Sequence, residues 1–158
     1  MSAQERLKFF TTFIGKPFPE HTPRVTSWLN GIIRAVELGS FTVEYIVRED
    51  MTNPLGILHG GISALIIDDL IGMTVYALGR ETIFVSINLT VDFLGKARLG
   101  DKIIARSRVV RQGNQIINIE CEILNAQGNL IARGTSNMLS NIARYSPRDT
   151  LIMKDNMG

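Results

Sequence analysis

Residues 53–78 read Asn53-Pro54-Leu55-Gly56-Ile57-Leu58-His59-Gly60-Gly61-Ile62-Ser63-Ala64-Leu65-Ile66-Ile67-Asp68-Asp69-Leu70-Ile71-Gly72-Met73-Thr74-Val75-Tyr76-Ala77-Leu78. From Gly60 to Leu78 apolar side chains fall on every side of a helical wheel, and Gly79 supplies the stop. A helix without a polar face is enclosed by protein or by lipid. In a bilayer, Asp68 and Asp69 near its middle would each cost about 2.5–3.5 kcal/mol. The expectation is therefore the core helix of a protein interior, with no membrane partner. A carboxylate in such a helix usually has a task or a specific mate, because burying it ionised and unpaired is expensive. A histidine and two glycines stand at the mouth of the same helix, so the segment reads as a site as well as a core element.

Outward from it, the chain changes period. Ile83, Val85, Ile87, Leu89, Val91 and Phe93 alternate with Phe84, Ser86, Asn88, Thr90 and Asp92, the mark of a half-buried strand. Strands over residues 102–111, 115–124 and 130–139 follow, separated by turns at Gln112-Gly113-Asn114 and Asn125-Ala126-Gln127-Gly128-Asn129. Before the helix, two strand-like runs between Gly31 and Val47 flank a hairpin turn at Gly39-Ser40. Short helices over residues 3–14 and 26–30 enclose a connector broken by Pro17, Pro19 and Pro23. The order predicts an α+β domain: a hairpin, one long helix, then a four-strand antiparallel meander curling around that helix. The expected boundaries are a helical segment and connector over 1–30, the main domain over 31–142 and a loose tail over 143–158.

With 158 residues, 45% of them hydrophobic, one core and one domain are expected. A net charge of +2 without a basic cluster gives no reason to expect a nucleic-acid partner. Cys121 is the single cysteine, on the apolar phase of its strand, and reads as a small buried hydrophobe. Two histidines and one cysteine make a conventional zinc site improbable, so no metal is expected. The first ten residues lack the pattern of a secretory signal, and a cytoplasmic protein is expected. Gly61-Ile62-Ser63-Ala64-Leu65 lacks the last glycine of a nucleophile elbow, and no phosphate-binding glycine fingerprint occurs.

His59 and Asp68 are nine residues apart, which on one helix is about half a turn out of phase and roughly 13 Å of rise. They cannot share a helix face within one chain. Either His59 lies in the loop ahead of the helix, or the two meet from different copies across a two-fold axis.

The run Asn-Pro-x-Gly-x-x-His-Gly-Gly over residues 53–61, with an aspartate nine residues after the histidine, resembles the hotdog-fold acyl-CoA thioesterases of the phenylacetate-degradation (PaaI-like) branch. Ser86 within Val85-Ser86-Ile87-Asn88-Leu89 and the turn Leu99-Gly100-Asp101 strengthen the resemblance. The resemblance implies a hotdog fold over about residues 30–141 and a hydrolase releasing a carboxylic acid and coenzyme A. It implies no metal or redox cofactor, with coenzyme A entering only as part of the substrate. It also implies a homo-oligomer, a dimer pairing further into a homotetramer. Asp68 would then be base or nucleophile, the Gly60 N–H would polarise the thioester carbonyl, Asn53 and His59 would shape that hole, and Ser86 would orient water.

Gly61, Asp69, Arg106, Arg108 and Arg133 are the candidates for contacting substrate. Each has a plainer role open to it: helix entry for Gly61, a structural or interface acid for Asp69, solvated strand edges for the arginines. Phe84, Phe93, Met73 and Tyr76 could line an aryl or medium-chain acyl pocket. The alternative function is a non-catalytic acyl-CoA-binding sensor. The carboxylate in the helix argues against it, since binding alone needs no buried base. No aspartate stands five residues before either histidine, as hydratase chemistry on the same fold would want.

Overall fold

The structure, a computed structural model, describes residues 1–144. Two short helices, α1 (Ala3–Thr11) and α2 (Arg24–Leu29), precede a hairpin of β1 (Ile32–Glu37) and β2 (Ser40–Ile46). The long helix α3 (Gly60–Ala77) follows, then β3 (Thr82–Phe93), β4 (Lys102–Gln112), β5 (Ile116–Asn125) and β6 (Leu130–Arg144). The six strands form one antiparallel sheet in the order β1-β2-β4-β5-β6-β3.

The inner half of α3 is made by Ile66, Ile67, Leu70 and Ile71, all fully buried. They meet Ile103 and Ala105 of β4, Ile117, Ile119, Cys121 and Ile123 of β5, and Ala132 of β6 in one core. Each such side chain removed from water contributes about 1.5–3 kcal/mol. Gly134 lets β6 come close: a Cβ there would lie 2.7 Å from Cγ2 of Ile67. Cys121 is the buried hydrophobe expected, and burial pushes its thiol far above the ordinary range.

The N-terminal segment is part of this core. Phe10 is fully buried between Phe41, Phe18 and Tyr76, and Arg6 donates from Nη1 to the Tyr76 carbonyl at 2.6 Å. At the end of α3, Gly79 turns the chain at φ +71°, and a Cβ there would meet the Ala3 backbone nitrogen at 2.3 Å.

Three expectations need correction. The meander is three strands, not four: β3 pairs with β6 at the sheet margin, while β4 pairs with β2. Residues 94–101 between β3 and β4 are too many for a tight hairpin, and they cross the sheet instead. Nor is the alternation of β3 unbroken. Ser86 pairs with Met138 and Asn88 with Asn137, so Ile87 is an extra residue in a bulge that reverses the strand's phase. Phe84 and Ser86 therefore face α3, while Val85 and Ile87 turn out to 42% and 53% exposure.

Third, the sheet wraps α3 from one side, so the helix is not buried all round within the chain. Packed on β2 through β6, the helix keeps a stripe of Gly61, Leu65, Asp68 and Gly72 that is exposed or half-exposed. These positions recur at the four- and three-residue steps of one helix face. The hairpin turn uses Leu38-Gly39, with Gly39 at φ +78°. β6 runs to Arg144, past the expected end of the last strand, and residues 145–158 of the expected tail lie outside the described residues.

Candidate active site

The loop before α3 is built by Asn53. Its Oδ1 accepts the N–H groups of Leu55 at 2.9 Å and Ile57 at 3.4 Å, and its own N–H donates to the Ile57 carbonyl at 2.9 Å. This local turn, with Gly56 at φ +70°, is pinned to the rest of the fold. Leu58 N–H donates to the Ala97 carbonyl and His59 N–H to the carbonyl of buried Met51.

The loop thus delivers His59 as the N-cap of α3. Its carbonyl accepts the N–H groups of Ile62 and Ser63, and its ring Nδ1 accepts the Gly61 N–H at 2.8 Å. With Nδ1 accepting, Nε2 is the ring nitrogen left to donate. Of the amides opening the helix, the Gly60 N–H alone finds no acceptor among the described residues. It sits at the positive end of the helix dipole, beside the ring of Phe93, whose Cε1 would lie 3.2 Å from a Cβ at residue 60. A Cβ on Gly61 would stand 3.1 Å from the His59 Nδ1, so a side chain there would crowd the cap. The His-Gly-Gly run is therefore one device: the histidine occupies the second amide and leaves the first free.

Two turns along α3 the aspartates part ways. Asp68 is exposed on the open stripe, and Ser86 Oγ donates to its Oδ1 at 2.9 Å. It forms no ion pair with any described residue. Asp69 turns toward α2, where Thr26 Oγ1 donates to its Oδ1 at 2.7 Å and its Oδ2 is buried without a partner. Burial pushes this carboxyl up to about 6; the Thr26 hydrogen bond acts against the rise, and the neighbouring Asp68 charge adds to it. Its charge in turn helps burial raise the Tyr45 phenol. Two cavities meet at Asp68 and Ser86. An open one of about 480 Å³ extends over Gly61 and Leu65, and one of about 560 Å³ runs inward past Met73, Tyr76 and Phe84.

The arginines stand elsewhere. Arg108 pairs with Glu120 at 2.6 Å and Arg133 with Glu122 at 2.6 Å, while Arg106 is exposed on the same outer face of the sheet. That face alternates with buried Ala105 and Ser107, so it points away from α3. The structure brings Asn53, His59, Gly60 and Gly61 together at the helix mouth and Asp68 with Ser86 halfway along. Asp69 borders the inner cavity. Of the four pocket candidates, Phe84, Met73 and Tyr76 line that cavity, whereas Phe93 lies against Gly60. The Thr26 contact to Asp69 spans 43 residues and left no local signal in the sequence.

Residues 55–132 match the thioesterase superfamily. Over 97 residues the chain is 32% identical to acyl-coenzyme A thioesterase 13 of Homo sapiens, covering 61% of this chain and 69% of that one. The chain belongs to the thioesterase superfamily. A phenylacetic acid degradation-related protein of Ralstonia eutropha JMP134 shares 30% identity, with a TM-score of 0.71 over 83% of this chain and 98% of that one. The PaaI protein of E. coli superposes with a TM-score of 0.76 over 91% of this chain and 99% of that one. At 19% identity that likeness speaks for the fold alone, which is the hotdog. The α+β architecture and the thioester hydrolase expected from the sequence both stand.

Proposed function

We propose that this thioester hydrolase acts on acyl-CoA, releasing a carboxylic acid and coenzyme A, at a site shared between two copies of the chain. The observation that carries the proposal is the separation of two unsatisfied groups. Among the described residues, Asp68 is an exposed carboxylate held only by Ser86, and Gly60 offers a free N–H at the helix mouth. Eight residues of helix set them about 12 Å apart, too far to act on one carbonyl. Two α3 helices lying antiparallel through their open stripes would set Asp68 of each beside Gly60 of the other. The margin of β3, with Val85 and Ile87 exposed, would extend the sheet in the same dimer. The resemblance supports further pairing into a tetramer.

In this arrangement the thioester oxygen lies against the Gly60 N–H and the carbonyl carbon faces Asp68. As general base, Asp68 takes a proton from water while the water oxygen bonds to that carbon. Ser86 fixes the carboxylate's orientation. The oxyanion charge falls on the Gly60 amide, a donor worth about 10²–10³ in rate. Collapse breaks the C–S bond, and the departing thiolate recovers the proton. Direct attack by Asp68 is the alternative, through an anhydride that water then opens. Neither course requires a metal or redox cofactor. No observation favours a sensor without catalysis.

Two variants test the shared site. Asp68→Asn removes the base and should cost about 10²–10⁴ in kcat/KM. Gly60→Pro removes the free N–H at a helix position that tolerates proline. Each alone should be nearly inactive on an acyl-CoA panel. Co-expressed and purified as a mixed dimer, they should regain activity, because one of the two sites then has both groups intact. No recovery in a verified mixed dimer would place both groups within one chain and overturn the arrangement.

A further inference from the structure

We infer that Gly72 is the position that sets acyl-group length, and that the chain takes a medium-length acyl group ending against Phe10. The inference rests on the proposed site, since it starts the acyl group at Asp68. A glycine in mid-helix is less favourable than alanine and needs a reason. Gly134 has one in its contact with Ile67, but no atom lies within 4 Å of where a Gly72 Cβ would be, and its φ is not positive. Neither close packing within the chain nor backbone conformation therefore accounts for Gly72. What stands beside it is the inner cavity of about 560 Å³, within the usual size of a small-molecule site.

That cavity begins at Asp68 and Ser86. It follows Gly72 and Tyr76, one and two steps of four residues further along α3, with Phe84 opposite. Any side chain at residue 72 would project into this passage immediately beyond the catalytic carboxylate. The far end is closed by packed rings. Phe10 stands edge-on to Phe41 at 5.2 Å and to Tyr76 at 6.3 Å, and the Arg6 guanidinium lies 4.2 Å over the Tyr76 ring. From Asp68 to Tyr76 the helix rises about 12 Å. With C–C bonds of about 1.5 Å at tetrahedral angles, an extended chain of about nine or ten carbons fits that length.

The test is a chain-length profile of kcat/KM for acetyl-, hexanoyl-, decanoyl- and hexadecanoyl-CoA, on the wild type, Gly72→Ala and Gly72→Leu. The wild type should rise to decanoyl and gain nothing at hexadecanoyl. Gly72→Leu should lower the decanoyl-to-acetyl ratio about tenfold or more, since each methylene of misfit is worth roughly that in a hydrophobic pocket. The acetyl rate is the internal reference, because that acyl group stops short of residue 72. Gly72→Ala, whose fold is safe because alanine favours helix, should shift the ratio the same way by less. An unaltered ratio in both variants overturns the inference. Should the wild type hydrolyse no thioester, the catalytic reading fails by itself. Calorimetric binding of decanoyl- against acetyl-CoA in the Asp68→Asn background then decides the inference: tighter decanoyl binding that Gly72→Leu abolishes upholds it, and equal binding sinks it.

Discussion

The two sides of α3 belong to one apolar run and meet opposite fates. Toward the sheet, Ile66, Ile67, Leu70 and Ile71 reach no water at all. On the other side Gly61, Leu65, Asp68 and Gly72 stand open or half-open in the isolated chain. The first set fills space, and the second set leaves it. Glycine twice and a carboxylate once are poor choices for a helix that exists only to pack. Hydrophobicity alone therefore does not separate core from site; the small and charged residues interrupting it do.

That contrast can be broken from the closed side with the largest effect. Ile67→Ala should cost about 2–5 kcal/mol in unfolding free energy by denaturant titration, while kcat per folded molecule stays within error. A comparable loss of kcat would mean the two sides are not independent.

Asp69, between the sides, sharpens the comparison through pH. Its folded carboxyl stands at about 6, raised by burial from 3.8, so the folded state binds more protons than the unfolded state between those values. Stability from this group is therefore fully present below about pH 4 and lost as pH rises through 6. Asp69→Asn should stabilise the fold at pH 8 by up to about 3 kcal/mol, because each tenfold difference in proton affinity between the folded and unfolded states is worth about 1.36 kcal/mol. The gain should vanish below pH 4. A gain independent of pH would show that charge burial is not its origin.

On the open side, Ser86→Ala should lower kcat about tenfold, the worth of one hydrogen bond to a charged group, with the melting temperature unchanged. Smallest of all is Arg108→Ala on the outer sheet face, where an exposed ion pair contributes little. Neither the melting temperature nor the KM for acyl-CoA should move, and a raised KM would return that arginine to the substrate.

Much of this was legible from local pattern. The 53–61 run and α3 were readable because turn residues, cap and apolar run are contiguous in sequence, and β5 because Ile117, Ile119, Cys121 and Ile123 alternate without interruption. The illegible parts depend on distant partners. A period of two in β3 cannot disclose that Ile87 lacks a partner, since β6 decides that. Nor could the proline-rich connector announce that Thr26 would meet Asp69, or that Phe10 would close a cavity. The resemblance already set Asp68 apart from Asp69, but the burial of Asp69 against Thr26 became visible only in the fold.

The bulge in β3 has a chemical consequence. A plain ladder that kept Ile87 would swing the hydroxyl outward and offer the carboxylate a branched hydrocarbon instead. Deleting Ile87 outright would leave the ladder regular with the hydroxyl still in place. One surplus residue in a marginal strand thereby governs whether the acid is solvated by protein or merely fenced in by grease.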